Sequence, residues 1–211
     1  TESYGDFTVI DEHTIRFGLR AIKNLSSEVV RKIIDCHKEG IKFESLEHFL
    51  TESYTKSFNK RSWEALAKAG ALDRYGDRAQ LLANTERVLD FLREHFRQDN
   101  IGQSSLFGAS MQIGKLQLKN DAQPASTEEK LGWEKEHLGL FVSAHPLDAY
   151  RNVLKGFTPI INVPNINDGQ AVLIGGIICK YKRTLTKKND PMAFFSIQDL
   201  SGTTEVLVFP K

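Results

Sequence analysis

Apolar residues in the first hundred positions recur every three or four residues, in short stretches separated by residues that start or stop helices. Ser26 or Ser27 can cap one helix, and Asn59 can cap another. The longest predicted helix opens at Asp77. Its apolar stripe consists of Leu81, Leu82, Val88, Leu89, Leu92 and Phe96. Apart from two short extended candidates, Thr8–Ile10 and Thr14–Phe17, the pattern therefore predicts an all-helical module over residues 1–100.

This order is lost after the long helix, where Gln, Ser, Asn, Gly and Lys dominate, and residues 101–125 are predicted to be a linker. Ser126 and Glu129 then have the spacing of a capping box, which predicts a new helix continuing through Phe141. We assign residues 126–164 to a helical connector.

The period changes to two in the last part of the chain, residues 165–211. The predicted strands are Gln170–Tyr181, Met192–Asp199 and Thr204–Phe209, with a hairpin turn between the last two. A change of parity at Gly175-Gly176 predicts a bulge in the first strand. The fold class is therefore mainly α, followed by a small all-β OB-like segment. Because an OB barrel needs five strands, we expect this one to be truncated after three.

Composition is that of an ordinary soluble protein, with 211 residues, 40% hydrophobic, 26% charged and a net charge of +1. Any contact with nucleic acid must therefore come from local patches. Cys36 and Cys179 lie far apart, so a disulfide is not expected and a reducing cytoplasm fits. No membrane span or signal peptide is visible. The start at Thr1 rather than Met suggests a piece of something longer.

The densest charge signal is a group of cations near the end of the chain, with no acid before Asp190. It consists of Lys180, Lys182, Arg183, Lys187 and Lys188. On an OB barrel, the loop after the first strand borders the binding groove, so cations there can follow a phosphate backbone. Phe194 and Phe195 must face opposite sides of the next strand, and one of them can stack on a base. The alternative is a solvated loop, with both rings covered by further strands.

Residues 22–30 resemble a helix-hairpin-helix hairpin, which presents backbone N–H groups at a helix N-terminus to a DNA phosphate. The usual hairpin has Gly-hydrophobic-Gly at its centre, because close approach of the backbone excludes a Cβ atom. Here Lys23 precedes Asn24, Leu25 and Ser26. Asn tolerates a left-handed turn and Ser can cap, but its Cβ narrows the approach. A plain helical corner without DNA contact is the alternative.

Motifs that carry catalysis are absent from the sequence, so no catalytic residue and no metal site is predicted. Glu134 and His137 have the spacing of a helical metal pair. Without partner helices, such a pair is more simply a solvated helix face.

A pentapeptide in the linker region combines a glutamine anchor with a Leu-Phe pair, which suits a hydrophobic groove on a partner. Its residues are Gln103, Ser104, Ser105, Leu106 and Phe107.

Taken in order, these features resemble the C-terminal portion of the bacterial DNA polymerase III alpha subunit family. The most specific stretches are residues 15–23, 59–61 with 68–73, 102–108, 133–148 and 192–195 with 199–202. The resemblance implies a hairpin region that holds duplex DNA, a pentapeptide that docks on the sliding clamp, and a last segment that contacts single-stranded template.

The resemblance also implies catalytic carboxylates upstream of these residues, so the fragment is expected to be inactive alone. The parent polymerase would use Mg²⁺, whereas no cofactor is expected in this fragment. Expected partners are the sliding clamp, double- and single-stranded DNA and other replicase subunits, with no membrane. Two alternatives remain open. One is a stand-alone hairpin-plus-OB module of a DNA repair or ligase-type protein. The other is a metal enzyme using Glu134 and His137.

Overall fold

The computed structural model describes residues 4–100 and 115–210, with the side chains of residues 98–100 left undescribed. The chain divides into two units, Thr1–Ser143 and Ala144–Lys211. We call them the helical unit and the sheet unit.

The helical unit begins with a two-stranded antiparallel hairpin, β1 (Thr8–Asp11) and β2 (Thr14–Arg16). Short helices follow: α1 (Ser27–Lys38), α2 (Leu46–Ser53), α3 (Lys60–Lys68), α4 (Arg78–Ala83), α5 (Thr85–Asn100) and α6 (Thr127–His137). Single turns of 3-10 helix lie at Leu19–Ala21 and Asp73–Tyr75.

Polar residues cap these helices as the sequence predicts. Ser26 and Asn59 accept hydrogen bonds from backbone N–H groups of α1 and α3, and Ser126 forms the capping box with Glu129 at the start of α6. The apolar faces meet in one core around the fully buried ring of Trp63. Burial of these faces, rather than the length of the individual helices, holds the unit together.

The long helix predicted from Asp77 is wrong in one respect, because the structure breaks it at Asn84 into α4 and α5. The Asn84 side chain donates a hydrogen bond to the Lys119 carbonyl oxygen and accepts one from the Lys119 N–H group, each 2.8 Å long. Asp77 similarly accepts from the Ala125 N–H group at 2.8 Å. A tertiary contact has therefore overridden a continuous helical pattern.

Helix α6 also ends earlier than predicted, at His137 rather than Phe141. Gly139 adopts φ of +81°, which is the left-handed conformation that commonly ends a helix, and its N–H group bonds to the Lys135 carbonyl oxygen.

The sheet unit contains α7 (Arg151–Leu154), two 3-10 segments at Asp148–Tyr150 and Ile160–Asn165, and three strands. The strands are β3 (Ile177–Leu185), β4 (Pro191–Gln198) and β5 (Thr203–Val208). They form an antiparallel sheet in the order β3-β4-β5, which confirms the mainly α chain with a small C-terminal sheet.

The first predicted strand is misplaced, since it begins at Ile177 and not at Gln170. The Leu173 carbonyl oxygen instead accepts a hydrogen bond from the Thr158 N–H group. A Cβ atom on Gly176 would lie 2.3 Å from the Gln198 carbonyl oxygen, so this glycine permits a close approach of the backbone. The register shift falls between Ile178 and Lys180, not at the glycine pair.

Candidate nucleic-acid interface

The hairpin before α1 has the backbone geometry that the sequence suggests. Asn24 adopts φ of +66°, and the Ser26 hydroxyl accepts a hydrogen bond from the Glu28 N–H group at 3.2 Å. Lys23 and Asn24 are exposed, whereas Leu25 and Ser26 are partly buried. The turn therefore survives without the two glycines of the usual hairpin.

The Lys23 backbone is already bonded within the protein. Its N–H group donates to the His137 carbonyl oxygen at 2.9 Å, and the His137 ring nitrogen Nδ1 lies 3.4 Å from the Lys23 carbonyl oxygen. The end of α6 thus holds the hairpin in place and uses one N–H group that a phosphate could otherwise have bound.

An acid stands at the N-terminus of α1. Glu28 lies in the first turn, and the Ser57 hydroxyl donates a hydrogen bond to its carboxylate. The partial positive charge of the helix end therefore meets a carboxylate of the protein itself, which opposes the approach of a DNA phosphate.

The helical unit contains a buried charge cluster that the residue spacing did not predict. Arg78 is 4% exposed, and its guanidinium donates to Glu134 Oε1 at 3.0 Å and to both oxygens of Asp73. Glu134 is fully buried, and its other oxygen accepts from the N–H groups of Val142 and Ser143 at 2.7 and 3.0 Å. Each charged group of the cluster therefore has hydrogen-bond partners. These hydrogen bonds connect α4, α6 and residues 142–143.

The interpretation of Glu134 and His137 as a solvated helix face is therefore wrong, since both are buried. Burial raises the pKa of Glu134, but the N–H groups of Ser143 and Val142 and the Arg78 guanidinium outweigh it and leave this pKa below its ordinary value. The polar residues of α6 gave no sign of this burial in the sequence, because their spacing alone does not show which side of the helix faces the core. Among residues 4–100 and 115–210, no cluster of His, Cys, Asp and Glu could hold a metal ion.

The sheet presents one cationic and aromatic face, which we call the lysine face: Lys180, Lys182, Phe194, Ser196, Glu205 and Leu207. Lys182 pairs with Phe194, which pairs with Leu207, and Lys180 pairs with Ser196. Directly paired residues point to the same side of a sheet, so Lys182 lies opposite Phe194 and Lys180 lies two residues along β3 on the same side. Phe194 is 37% exposed.

The other predicted phosphate contacts do not all join this face. Arg183 pairs with Ala193 and lies on the opposite side, next to Tyr181 and Phe195. Lys187 and Lys188 lie in the loop of residues 186–190, which Thr186 ties together through hydrogen bonds to the residues around them. The predicted strand ended at Tyr181, which left Lys182, Arg183, Lys187 and Lys188 in the loop, whereas β3 continues to Leu185 and so includes Lys182 and Arg183.

The turn between β4 and β5 is built around Asp199. Its carboxylate accepts hydrogen bonds from the N–H groups of Ile160, Ser201 and Gly202 and from the Ser201 hydroxyl, at 2.6 to 2.9 Å. Burial raises the pKa of Asp199, but the donors, led by the Ile160 N–H group, bring it below its ordinary value. The turn therefore fixes the register that aligns the lysine face.

The pentapeptide Gln103–Phe107 lies outside the described residues. No helix in the described part of the chain is both long and apolar enough to cross a membrane.

Comparisons with known proteins agree on one relationship. A family profile described as a helix-hairpin-helix motif matches residues 1–81. The DNA polymerase III subunit alpha of Saccharopolyspora erythraea is 35% identical over the whole chain, and that of Thermus aquaticus is 35% identical over 98% of it. That of Aquifex aeolicus is 34% identical over 97%. The chain belongs to the DNA polymerase III alpha subunit family.

Its length is a small part of these relatives. The chain covers 19% of the Saccharopolyspora protein, 17% of the Thermus protein and 16% of the Aquifex protein. The comparisons therefore assign these residues to the alpha subunit family. DNA binding and the activity of the whole subunit are proposed below.

Proposed function

We propose that these residues form a DNA-holding segment of a bacterial replicative DNA polymerase and also link it to the sliding clamp. The segment grips DNA near the primer end, and nucleotide incorporation takes place on other parts of the alpha subunit. The relationship to alpha subunits over the full length of the chain supports this proposal. Binding of Mg²⁺ belongs to the polymerase active site elsewhere, and the segment alone is inactive. Its location would be the cytoplasm, together with DNA and the other replicase subunits.

The lysine face carries the single-strand part of the proposal. Lys180 and Lys182 lie on the same side of the sheet as Phe194, which is partly exposed. Lysines that flank an aromatic ring can bind successive phosphates while a base stacks on the ring, and such stacking tolerates any sequence. This arrangement suits a template strand, which the polymerase must hold regardless of its sequence.

A charge-matched pair of variants tests this face. Lys180→Gln with Lys182→Gln should lower the log–log salt slope for oligothymidylate binding by about 1.4, or about 0.7 for each phosphate that is no longer bound. Lys187→Gln with Lys188→Gln removes the same charge from the loop and should change the slope less. A larger drop for the loop pair would move the binding site from the lysine face to the loop. Fluorescence anisotropy over a range of salt concentrations measures both.

Phe194 provides a second, independent readout. Phe194→Ala should weaken oligothymidylate binding by about 1–3 kcal/mol, the usual contribution of one stacked base. Tyr181 lies on the opposite side of the sheet and is 66% exposed, so Tyr181→Ala serves as the control. Equal losses from both variants would argue against stacking on the lysine face.

The hairpin at Lys23, Asn24, Leu25 and Ser26 is proposed to contact duplex DNA. Its left-handed turn and capped helix start favour this role. The Lys23 N–H group bonded to α6 and the Glu28 carboxylate oppose it. We therefore assign the hairpin a weak contact that adds to those of the sheet unit.

The link to the clamp is proposed for Gln103, Ser104, Ser105, Leu106 and Phe107. A peptide bound to a ring around DNA raises the effective concentration of the polymerase at the primer end, so its own affinity can be modest. Leu106→Ala with Phe107→Ala should abolish binding to purified sliding clamp in a calorimetric titration, whereas Ser104→Ala with Ser105→Ala should reduce it little. Full retention of binding by the Leu106 and Phe107 variant would exclude the pentapeptide as the link.

A further inference from the structure

A cleft on the helical unit is lined by residues that belong neither to the hairpin nor to the lysine face. It has a volume of about 660 Å³. Its lining includes Tyr4, Arg16, His37, Lys42, Phe43 and Arg74. Among the described residues, the lining thus contains three cationic side chains, Arg16, Lys42 and Arg74, and one carboxylate, that of Glu44. In a protein whose net charge is only +1, this local excess of cationic residues favours the binding of an anion.

Rings form one wall of the cleft. The Tyr4 ring lies 6.0 Å from the His37 ring, centre to centre, and the His37 ring lies 5.5 Å from that of Phe43. Tyr4 is 50% exposed, whereas Phe43 is buried and supports the wall from behind. The lining can therefore offer an aromatic surface together with positive charge, as sites for nucleotides do.

The walls are fixed by backbone contacts within the unit. The Tyr4 carbonyl oxygen accepts a hydrogen bond from the Leu19 N–H group at 2.9 Å, and the Tyr75 hydroxyl donates to the Phe43 carbonyl oxygen at 3.0 Å. The neighbouring Arg74 guanidinium stacks over the Tyr75 ring at 5.2 Å. Because these parts are held in place before any ligand arrives, binding need not order them.

We propose that this cleft binds a nucleotide unit, with its phosphates between Arg16, Lys42 and Arg74 and its base against Tyr4. Two sources can supply that chemistry: a free nucleoside triphosphate, or an unpaired nucleotide within a single strand. The proposal does not depend on the lysine face, since the cleft variants below leave the sheet unit unchanged.

The test is a titration of the ¹⁵N-labelled 211-residue chain followed by amide NMR, with dATP, a short oligothymidylate and inorganic pyrophosphate as separate probes. Amides of residues 40–44 and 74–75 should shift with dATP or with the oligothymidylate. A response to dATP identifies a free nucleotide as the ligand, and a response to the oligothymidylate alone identifies a strand. No shift with either probe would overturn the proposal.

Variants assign the response to the named side chains. Arg16→Gln, Lys42→Gln and Arg74→Gln together should weaken binding of the responsive probe roughly tenfold or more, because charge-assisted hydrogen bonds to phosphate are removed. Arg87→Gln, Arg93→Gln and Lys115→Gln remove the same charges outside the cleft and should leave the affinity within about twofold. Equal weakening by both sets would reduce the effect to overall charge and refute a built site.

Tyr4→Leu separates the base from the phosphates. It should weaken binding of dATP or the oligothymidylate several-fold while leaving the weaker binding of pyrophosphate unchanged. Equal affinities of pyrophosphate and dATP for the unsubstituted chain would refute the role of Tyr4. The NMR spectra also report whether each variant is folded, so a loss of binding cannot be confused with unfolding.

Discussion

The helical and sheet units differ in how much of their apolar surface is covered. In the helical unit, Trp63, Phe49 and Leu66 are fully buried in a continuous core. In the sheet unit, few side chains are buried, among them Ile160 and Ile197, while large residues such as Tyr181 remain exposed. Hydrophobic burial therefore stabilises the first unit far more, and the second relies more on local hydrogen bonds.

Among the described residues, each unit contains one buried carboxylate, Glu134 or Asp199, and the two accept hydrogen bonds from different kinds of donor. Glu134 is paired with the Arg78 guanidinium as well as two N–H groups. Asp199 accepts only from N–H groups and a hydroxyl among the hydrogen bonds described for it. In the helical unit, which has a large core, the buried carboxylate is paired with a cation. In the sheet unit, which buries few side chains, the carboxylate accepts hydrogen bonds from uncharged groups at a turn.

The largest effect is expected from removing the cation of the buried pair. Arg78→Met should lower the free energy of unfolding of the helical unit by about 3–5 kcal/mol, because Glu134 keeps its charge in a buried site without a counter-charge. Denaturant unfolding with hydrogen exchange measures the change for each unit separately. Adding Glu134→Gln should recover part of the loss, since the stranded charge is then removed.

A surface ion pair supplies the control for this prediction. Lys38 and Asp35 lie 3.6 Å apart on the surface of α1. Asp35→Asn should therefore change stability by no more than about 0.5 kcal/mol. If Arg78→Met changed the free energy of unfolding as little as Asp35→Asn, the buried cluster would stabilise the helical unit no more than a surface ion pair. The proposed difference between the two units would then be wrong.

A smaller effect is expected at the turn of the sheet unit. Asp199→Ala should destabilise this unit by roughly 1–3 kcal/mol, because the Ile160 N–H group loses its acceptor in a buried position. Faster hydrogen exchange should appear in β4 and β5 and not in α1 to α6. Asp168 is exposed, and Asp168→Ala should leave exchange in the sheet unchanged. Exchange that rises equally in both units would contradict separate stabilisation.

Acid should act on both units through these same carboxylates. The pKa of Glu134 and that of Asp199 are lower in the folded chain than their ordinary values of about 4. A carboxylate whose pKa is lowered by folding contributes its full stability when the pH is above its ordinary pKa. That contribution is lost as the pH falls through the pKa of the folded state. Stability should therefore decline below about pH 4, and Asp199→Asn should flatten that decline in the sheet unit alone. An unchanged pH profile would exclude Asp199 as a contributor.

Capping residues and apolar spacing predicted much of the fold because they act locally. Ser26, Asn59 and the Ser126 capping box begin helices as expected. The break at Asn84 could not be predicted in this way, since it depends on hydrogen bonds to Lys119, 35 residues away. Periodicity describes one element at a time, whereas such contacts join elements distant in sequence.

In the candidate site too, local residue spacing predicted some features, while contacts between distant residues determined the others. Alternation within β4 correctly separates Phe194 from Phe195, but it does not reveal which lysines share a face with Phe194. That depends on the register shift near Cys179, which reverses the alternation along β3. Likewise the role of Glu134 depends on Arg78, 56 residues earlier. Residue types therefore indicated the chemistry, while tertiary pairing decided which residues act together.

The smallest predicted effect compares the hairpin with the lysine face as DNA contacts. Glu28 stands in the first turn of α1, where it opposes a bound phosphate by about 0.3–1 kcal/mol. Glu28→Gln should therefore tighten binding of a short DNA duplex by about two- to fivefold and leave oligothymidylate binding unchanged. Glu39 at the other end of the same helix gives the matched control, Glu39→Gln. If both variants tighten duplex binding equally, the change reflects net charge, and the hairpin is a helical corner without a phosphate contact.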